Sequence, residues 1–212
     1  MTETVVALRP EDPTIMTGKT EITRGDIMDM TEYAKVRADR RRAVTLLKKH
    51  RRVEVGPHAT FYFENYATMW HQVHEMLFIE RGGDEQIADE LSAYNPLIPK
   101  GKELVATVMF EIPDEAERKE VLGKLGGVEE TISLQFAGNK VVGRPEADVD
   151  RTTADGKASS VQFVHFELTD DQIAAFKTAG TQSVIAIGHE NYGHMAVLPE
   201  PTRAALSEDF EG

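Results

Sequence analysis

Between Ala67 and Glu80 the chain reads Ala-Thr-Met-Trp-His-Gln-Val-His-Glu-Met-Leu-Phe-Ile-Glu, a helical stretch with apolar side chains on almost every side. At 3.6 residues per turn Met69, Trp70, Val73, Met76 and Leu77 form one face, while Phe78 and Ile79 point towards the other. Such a helix has little surface to give to water, so any fold must bury it on more than one side. His71, Gln72, His74 and Glu75 are buried with it, and each polar group then needs a partner: a side chain, a water, a metal or a ligand. His71 and Glu75 are four residues apart and His71 and His74 three apart, so they share one side of the helix; Glu64, ending the preceding strand, closes a candidate cluster. Imidazole plus carboxylate suits zinc, manganese or iron, which makes His71, His74 and Glu75 the candidate metal ligands. The Glu-x-x-His pairs that di-iron bundles use on two helices are absent, and a structural network of the same groups is the competing reading.

Charge is distributed unevenly along the 212 residues, whose formal net charge is −12. Nine Lys or Arg fall between Lys35 and Arg52 against the single acid Asp39, giving +8 there; the other fifteen cations and 35 acids leave −20 elsewhere. Arg40, Arg41, Arg42, Lys48, Lys49, Arg51 and Arg52 are therefore a candidate docking surface for an acidic protein, unless they pair with the chain's own acids. Nucleic acid is disfavoured, because the acidic remainder repels phosphates and no aromatic stacking platform accompanies the arginines. The absence of cysteine excludes disulfides, thiol chemistry and a cysteine-held iron–sulfur cluster on this chain. No apolar run approaches the roughly 20 residues of a membrane span, and Met1 to Glu21 lacks the basic-then-apolar order of a secretory signal, so a cytoplasmic setting is expected.

Periodicity and breakers divide the chain into an arm (1–21), an α+β domain (22–206) and an acidic tail (207–212). In the first half, about 22–100, a helix is predicted from Thr31 to about His50, with Val36, Ala43, Val44 and Leu47 as its packing stripe. A hairpin follows, Val53–Val55 and Ala59–Glu64 around Gly56-Pro57, then the apolar helix, a short helix over Asp84–Tyr94, and an extended loop forced by Pro96 and Pro99. The second half, about 101–198, contains a strand–helix–strand pattern twice. Val105–Ile112 ends in Phe110-Glu111-Ile112 before an Asp114-capped helix, and Val161–Leu168 ends in Phe166-Glu167-Leu168 before the capping box Thr169 to Gln172. Strands over Glu130–Ala137 and Ser183–Gly188 complete the units, with Arg144–Ala158 as the loop between them. The fold class expected is α+β: N-terminal helices and a hairpin, then two strand–helix–strand units forming a largely antiparallel sheet.

Gly188-His189-Glu190-Asn191-Tyr192-Gly193-His194 superficially suggests a zinc-binding His-Glu-x-x-His helix, yet the second histidine is one residue late and Gly193 interrupts the turn. The segment reads as a turn between strands, with His189, Tyr192 and His194 as secondary candidates. No P-loop, dinucleotide fingerprint or Gly-x-Ser-x-Gly elbow occurs.

Val53-x-Val-Gly-Pro-His58, Gln72-x-x-Glu75-Met-Leu, Ala93-Tyr-Asn-Pro-Leu-Ile-Pro99, Ser160-Val-x-Phe163 with Phe166-Glu167-Leu168, and Leu198-Pro together resemble the bacterial family catalogued as domain of unknown function 3501, over roughly residues 22–206. The chain departs from the family's pattern at His71 and His74, whereas Glu64, Gln72 and Glu75 fit shared positions. Genes of that family neighbour those of rubrerythrin-like di-iron proteins and iron–sulfur or flavin oxidoreductases. The resemblance therefore implies a cytoplasmic accessory of a redox or oxidative-stress system, with a non-haem-iron or iron–sulfur protein as partner. Two other readings stay open: an enzyme using the His/Glu pocket with a divalent metal or as general acid/base, and a small-molecule sensor.

Overall fold

The computed structural model describes residues 18–146 and 157–210. Helix α1 (Met30–Lys48) starts at Asp29, whose carboxylate accepts the Thr31 and Glu32 amides. It is followed by the hairpin β1 (Arg52–Val55) and β2 (Ala59–Glu64), then α2 (Tyr66–Glu80) and α3 (Gly83–Tyr94). Gly56 makes the hairpin turn with φ of +69°. A Cβ there would lie 2.6 Å from the His194 ring, so only glycine fits. Asn95–Leu97 form a 3-10 turn in place of the extended loop expected, because Pro96 falls at its first turn, where a missing N–H costs nothing.

The remaining elements are β3 (Glu103–Phe110), α4 (Glu115–Leu122), β4 (Ile132–Phe136), β5 (Asn139–Val142), β6 (Arg144–Pro145), β7 (Val161–Glu167), α5 (Asp170–Lys177), β8 (Ser183–His189), β9 (Tyr192–Val197) and α6 (Glu200–Ser207). The chain is α+β with antiparallel pairing throughout, and its strands form two sheets, ordered β1-β2-β3-β7-β6 and β5-β4-β8-β9. The reason lies in β3, both of whose edges are already taken by β2 and β7, so β4 has no place beside it. Each strand–helix–strand unit accordingly crosses from the first sheet to the second. Equivalent strands then meet: β3 pairs with β7 and β4 with β8, and Thr107 lies opposite Phe163, 56 positions later.

Alternation sorts the layers. Phe61, Phe63, Leu104, Val108, Val164 and Phe166 face Ile132, Leu134, Phe136, Ile185 and Ile187 across the inner space, all buried. The opposite face of the first sheet presents Val105 and Phe163 to a second cluster built from Tyr33, Tyr66, Met69, Trp70, Val73, Leu77 and Ile87 of α1–α3. The result is a helix layer on a sheet on a sheet. Trp70 and Val73 are buried as the apolar helix requires, while Ile79 is 62% exposed. In α1 the chief anchor is Tyr33, fully buried, with only Val44 of the expected stripe reaching the same class.

The expected arm and tail are in part engaged. Residues 1–17 lie outside the described residues, but Lys19 pairs with Asp26 at 2.6 Å and the Thr20 carbonyl accepts from Lys100. The segment set apart as an acidic tail includes Asp209, ion-paired with Arg51, and Phe210, packed edge-on against Phe176 in the core; 211–212 lie outside the described residues. Of the loop expected over 144–158, Arg144 and Pro145 pair with β7 as β6, and 147–156 lie outside the described residues. Among the described residues no helix is long and apolar enough to cross a membrane.

Candidate functional site

Where α1 lies on α2, the Tyr33 hydroxyl donates to Glu75 Oε1 at 2.9 Å and stands 3.3 Å from His71 Nδ1. Arg37, one turn further along α1, donates from Nε and Nη2 to Glu75 Oε1 and Oε2, each at 2.8 Å, a bidentate pair. Its guanidinium also lies over the Phe78 ring at 4.7 Å. The hydrogen bonds from Arg37 hold the Glu75 carboxyl below its usual range. Burial, reinforced by Glu75, pushes the Tyr33 phenol well up, and burial pushes His71 down. At neutral pH the group is one carboxylate and one guanidinium bridged by a neutral phenol and imidazole, a link between two helices.

His74 turns away from this network. Its Nε2 accepts the Met28 amide at 3.0 Å, so Nδ1 carries the proton and donates to the Trp70 carbonyl at 2.7 Å. The ring stacks on Trp70 with centroids 3.6 Å apart, and Trp70 Nε1 donates to the Asp26 carbonyl at 2.9 Å. Burial lowers the His74 pKa to about 4. Gln72 reaches the Tyr94 hydroxyl at 3.4 Å. Glu64, buried on the sheet, accepts from Thr107 Oγ1 at 2.8 Å, and its Oε2 has no hydrogen-bond partner among the described residues. The five residues expected to converge therefore separate into four places, with only His71 and Glu75 together. With both His74 nitrogens and both Glu75 oxygens occupied internally, the proposed ligands His71, His74 and Glu75 do not form a metal centre; among the described residues no group of three His, Asp or Glu does. Replacing Glu75 by Gln is expected to lower the unfolding free energy by about 1–3 kcal/mol, since Arg37 loses its anion. Urea denaturation checks this, and an unchanged midpoint would remove the pair from what holds α1 on α2.

The turn histidines are likewise structural. The Tyr192 hydroxyl accepts from the His58 and Ala59 amides at 2.8 and 2.9 Å and donates to the Val55 carbonyl at 2.8 Å, tying β9 to the β1–β2 turn. His189 Nε2 lies 3.2 Å from the Gly126 carbonyl, and the His194 ring packs on Tyr192 at 4.6 Å. The two histidines do not meet.

The basic stretch divides. Arg51 is 2% exposed and lies beyond the end of α1; its guanidinium donates to the Phe63, Glu64 and Ala205 carbonyls and to Asp209, so it is not a docking residue. Arg52 sits on β1 and pairs with Glu54. Arg40 lies over the Trp70 ring at 5.5 Å, and Arg42 pairs with Asp39. Arg41, Lys48 and Lys49 carry no ion pair to a described residue, and Leu46 among them is 71% exposed.

A pair that sequence reasoning missed lies on the outer face of the first sheet. His165 Nδ1 is 3.0 Å from Glu103 Oε2, both residues are buried, and the Lys100 amide donates to Glu103 Oε1 at 3.2 Å. His165 lines a groove of 330 Å³ together with Lys140, Val142, Arg144, Glu167 and Gln172. The alternation Val164-His165-Phe166, one polar position between two inward-facing ones, was the available signal for His165; its partner, 62 residues away, had none.

A crystal structure described as a novel protein of unknown function from Burkholderia pseudomallei K96243 is similar to this chain, with a TM-score of 0.83 and 35% identity over 90% of this chain and 99% of the other. No curated protein matches the chain. The profile of the family described as "Protein of unknown function (DUF3501)" matches residues 21–210, so the chain belongs to the DUF3501 family.

Proposed function

We propose that this protein is a binding accessory that docks an acidic protein through the solvent face of α1. The observation that carries the reading is an exposed leucine set among cations. Leu46 follows Arg42 by four residues and precedes Lys49 by three, so the three share one helix face, with Arg41 and Lys48 beside it. An apolar anchor rimmed by charge is the pattern of a protein–protein contact, and an acidic partner would feel Arg41, Lys48 and Lys49, which carry no ion pair to a described residue, while salt screens the acidic remainder beyond roughly 8–10 Å. The internal satisfaction of Glu75, His71 and His74 argues for the same reading, since it leaves those groups structural. For the partner we propose a redox protein carrying iron or flavin, the class that the resemblance in the sequence implies.

The test reverses Arg41, Arg42 and Lys49 to Glu. These side chains are exposed, so circular dichroism should be unchanged. Co-purification of an acidic redox protein from the source cells should be lost, and its association with the wild type should slow as salt rises. Tight, salt-sensitive binding of duplex DNA by the wild type, or undiminished partner binding by the triple variant, would overturn the reading.

A further inference from the structure

We propose that the groove between β5 and the β6–β7 edge binds a small carboxylate, its acid group held by Lys140 and Arg144 and bonded to Nε2 of His165. The groove is built at Gly143, the single residue joining β5 of the second sheet to β6 of the first. A Cβ there would come within 2.3 Å of Val164 Cγ1 and 3.1 Å of Phe166 Cε1, while its amide donates to the Ile132 carbonyl at 2.9 Å. This close approach sets Lys140 and Val142 beside Arg144 and His165, so residues of two sheets line one recess.

Beside the lining residue His165, Glu103 receives hydrogen bonds on both oxygens and fixes Nδ1 of the imidazole as the protonated nitrogen. Nε2 has no hydrogen-bond partner among the described residues, and it is the ring nitrogen left for a ligand in the groove. A histidine oriented by a buried carboxylate, beside a recess, is the arrangement used where an imidazole must accept or share a proton. At the rim Arg144 spends Nε and Nη2 on one oxygen of Glu167, which leaves Nη1 for another acceptor, and Lys140 has no ion pair to a described residue.

The charges around the ring decide the ligand. Lys140 from β5 and Arg144 from β6 oppose Glu167 from β7 and Glu103 from β3, and the ion pair between Lys102, just before β3, and Asp170 of α5 is neutral in sum. A carboxylic acid that enters with its own proton places it between its oxygen and Nε2, so that one imidazole bridges Glu103 and the bound acid while Lys140 and Nη1 of Arg144 meet the other carboxyl oxygen. A phosphate dianion would bring a second negative charge towards Glu167 and Glu103, with no further cation among the described residues lining the groove. The planar carboxylate also matches a guanidinium edge.

Propionate titrated into 15N-labelled full-length protein tests the proposal, read from the His165 imidazole in a long-range 1H–15N spectrum. The expected result is a saturable shift at Nε2. Lys140→Gln with Arg144→Gln, both at exposed positions, should weaken binding by about tenfold or more and leave the fold intact. A purely structural His165 would not respond to the rim variants. Absence of a saturable shift at propionate concentrations on the order of 10 mM, unchanged affinity in the double variant, or tighter binding of inorganic phosphate would each overturn the assignment.

Discussion

Replacing Arg51 with Met is expected to destabilise the fold by about 3–5 kcal/mol, the largest effect of any single change considered for this chain. Arg51 is 2% exposed and its guanidinium joins three parts of the molecule: the end of β2 through the Phe63 and Glu64 carbonyls, α6 through the Ala205 carbonyl, and the segment after α6 through Asp209. Methionine fills the volume and keeps the packing, so the loss isolates charge and hydrogen bonds. It strands Asp209, whose carboxyl is already pushed up by burial and is restrained only by Arg51. Chemical denaturation gives the size of the effect, and Arg51→Met with Asp209→Leu gives its origin. If the orphaned carboxylate is the cost, the double variant recovers much of the loss. Equal instability of the single and double variants would assign it instead to the three abandoned carbonyls.

Acid should weaken the protein through His74, by about 3 kcal/mol between pH 6.5 and 4. The native pKa of about 4 lies below the ordinary histidine value of 6.5, because the ring is fully buried and its Nε2 must accept the Met28 amide. In that window the unfolded chain binds a proton that the native state refuses. The stabilisation is therefore complete above about 6.5, declines as pH falls, and is exhausted below about 4. Glu75, held down by Arg37, adds a loss of the same sign at lower pH, and Asp209, held up by burial, works in the opposite direction. Unfolding free energies measured at several pH values should fall steeply for the wild type. His74→Gln keeps a donor and an acceptor without a titrating proton and should flatten the slope. Parallel slopes in the two proteins would mean that the acid sensitivity originates elsewhere.

The parts of this architecture that were legible in the sequence are those decided locally. The burial of α2 follows from its own circumference, and the start of α5 from Thr169 and Gln172, which cap each other as their spacing predicts. The β1–β2 and β8–β9 hairpins were marked by their turn residues. What could not be read depends on partners remote in the chain. Arg51 looks like one more cation at the end of a basic run until Asp209, 158 residues away, is beside it. Glu75 was expected to share a site with His74, which faces away, and instead meets Tyr33 and Arg37; these occupy successive turns of a different helix, and no spacing within α2 could name them. The division of strands between sheets was hidden for the same reason, since a unit's pattern does not reveal that β2 has already occupied the edge its second strand would need.

The pairing of β3 with β7 around Thr107 and Phe163, and of β4 with β8, has an ancestral consequence. A chain ending after the first strand–helix–strand unit and its β2 and β5 neighbours would leave the β7-facing edge of β3 and the β8-facing edge of β4 bare, one in each sheet and both open to promiscuous pairing. A second copy related by a two-fold axis through the Thr107 position would close both edges in one step, because antiparallel self-pairing is isologous. A half-length forerunner of this region is thus viable as a homodimer and hazardous as a monomer, and fusion of two such units in one gene turns a concentration-dependent association into an intramolecular one.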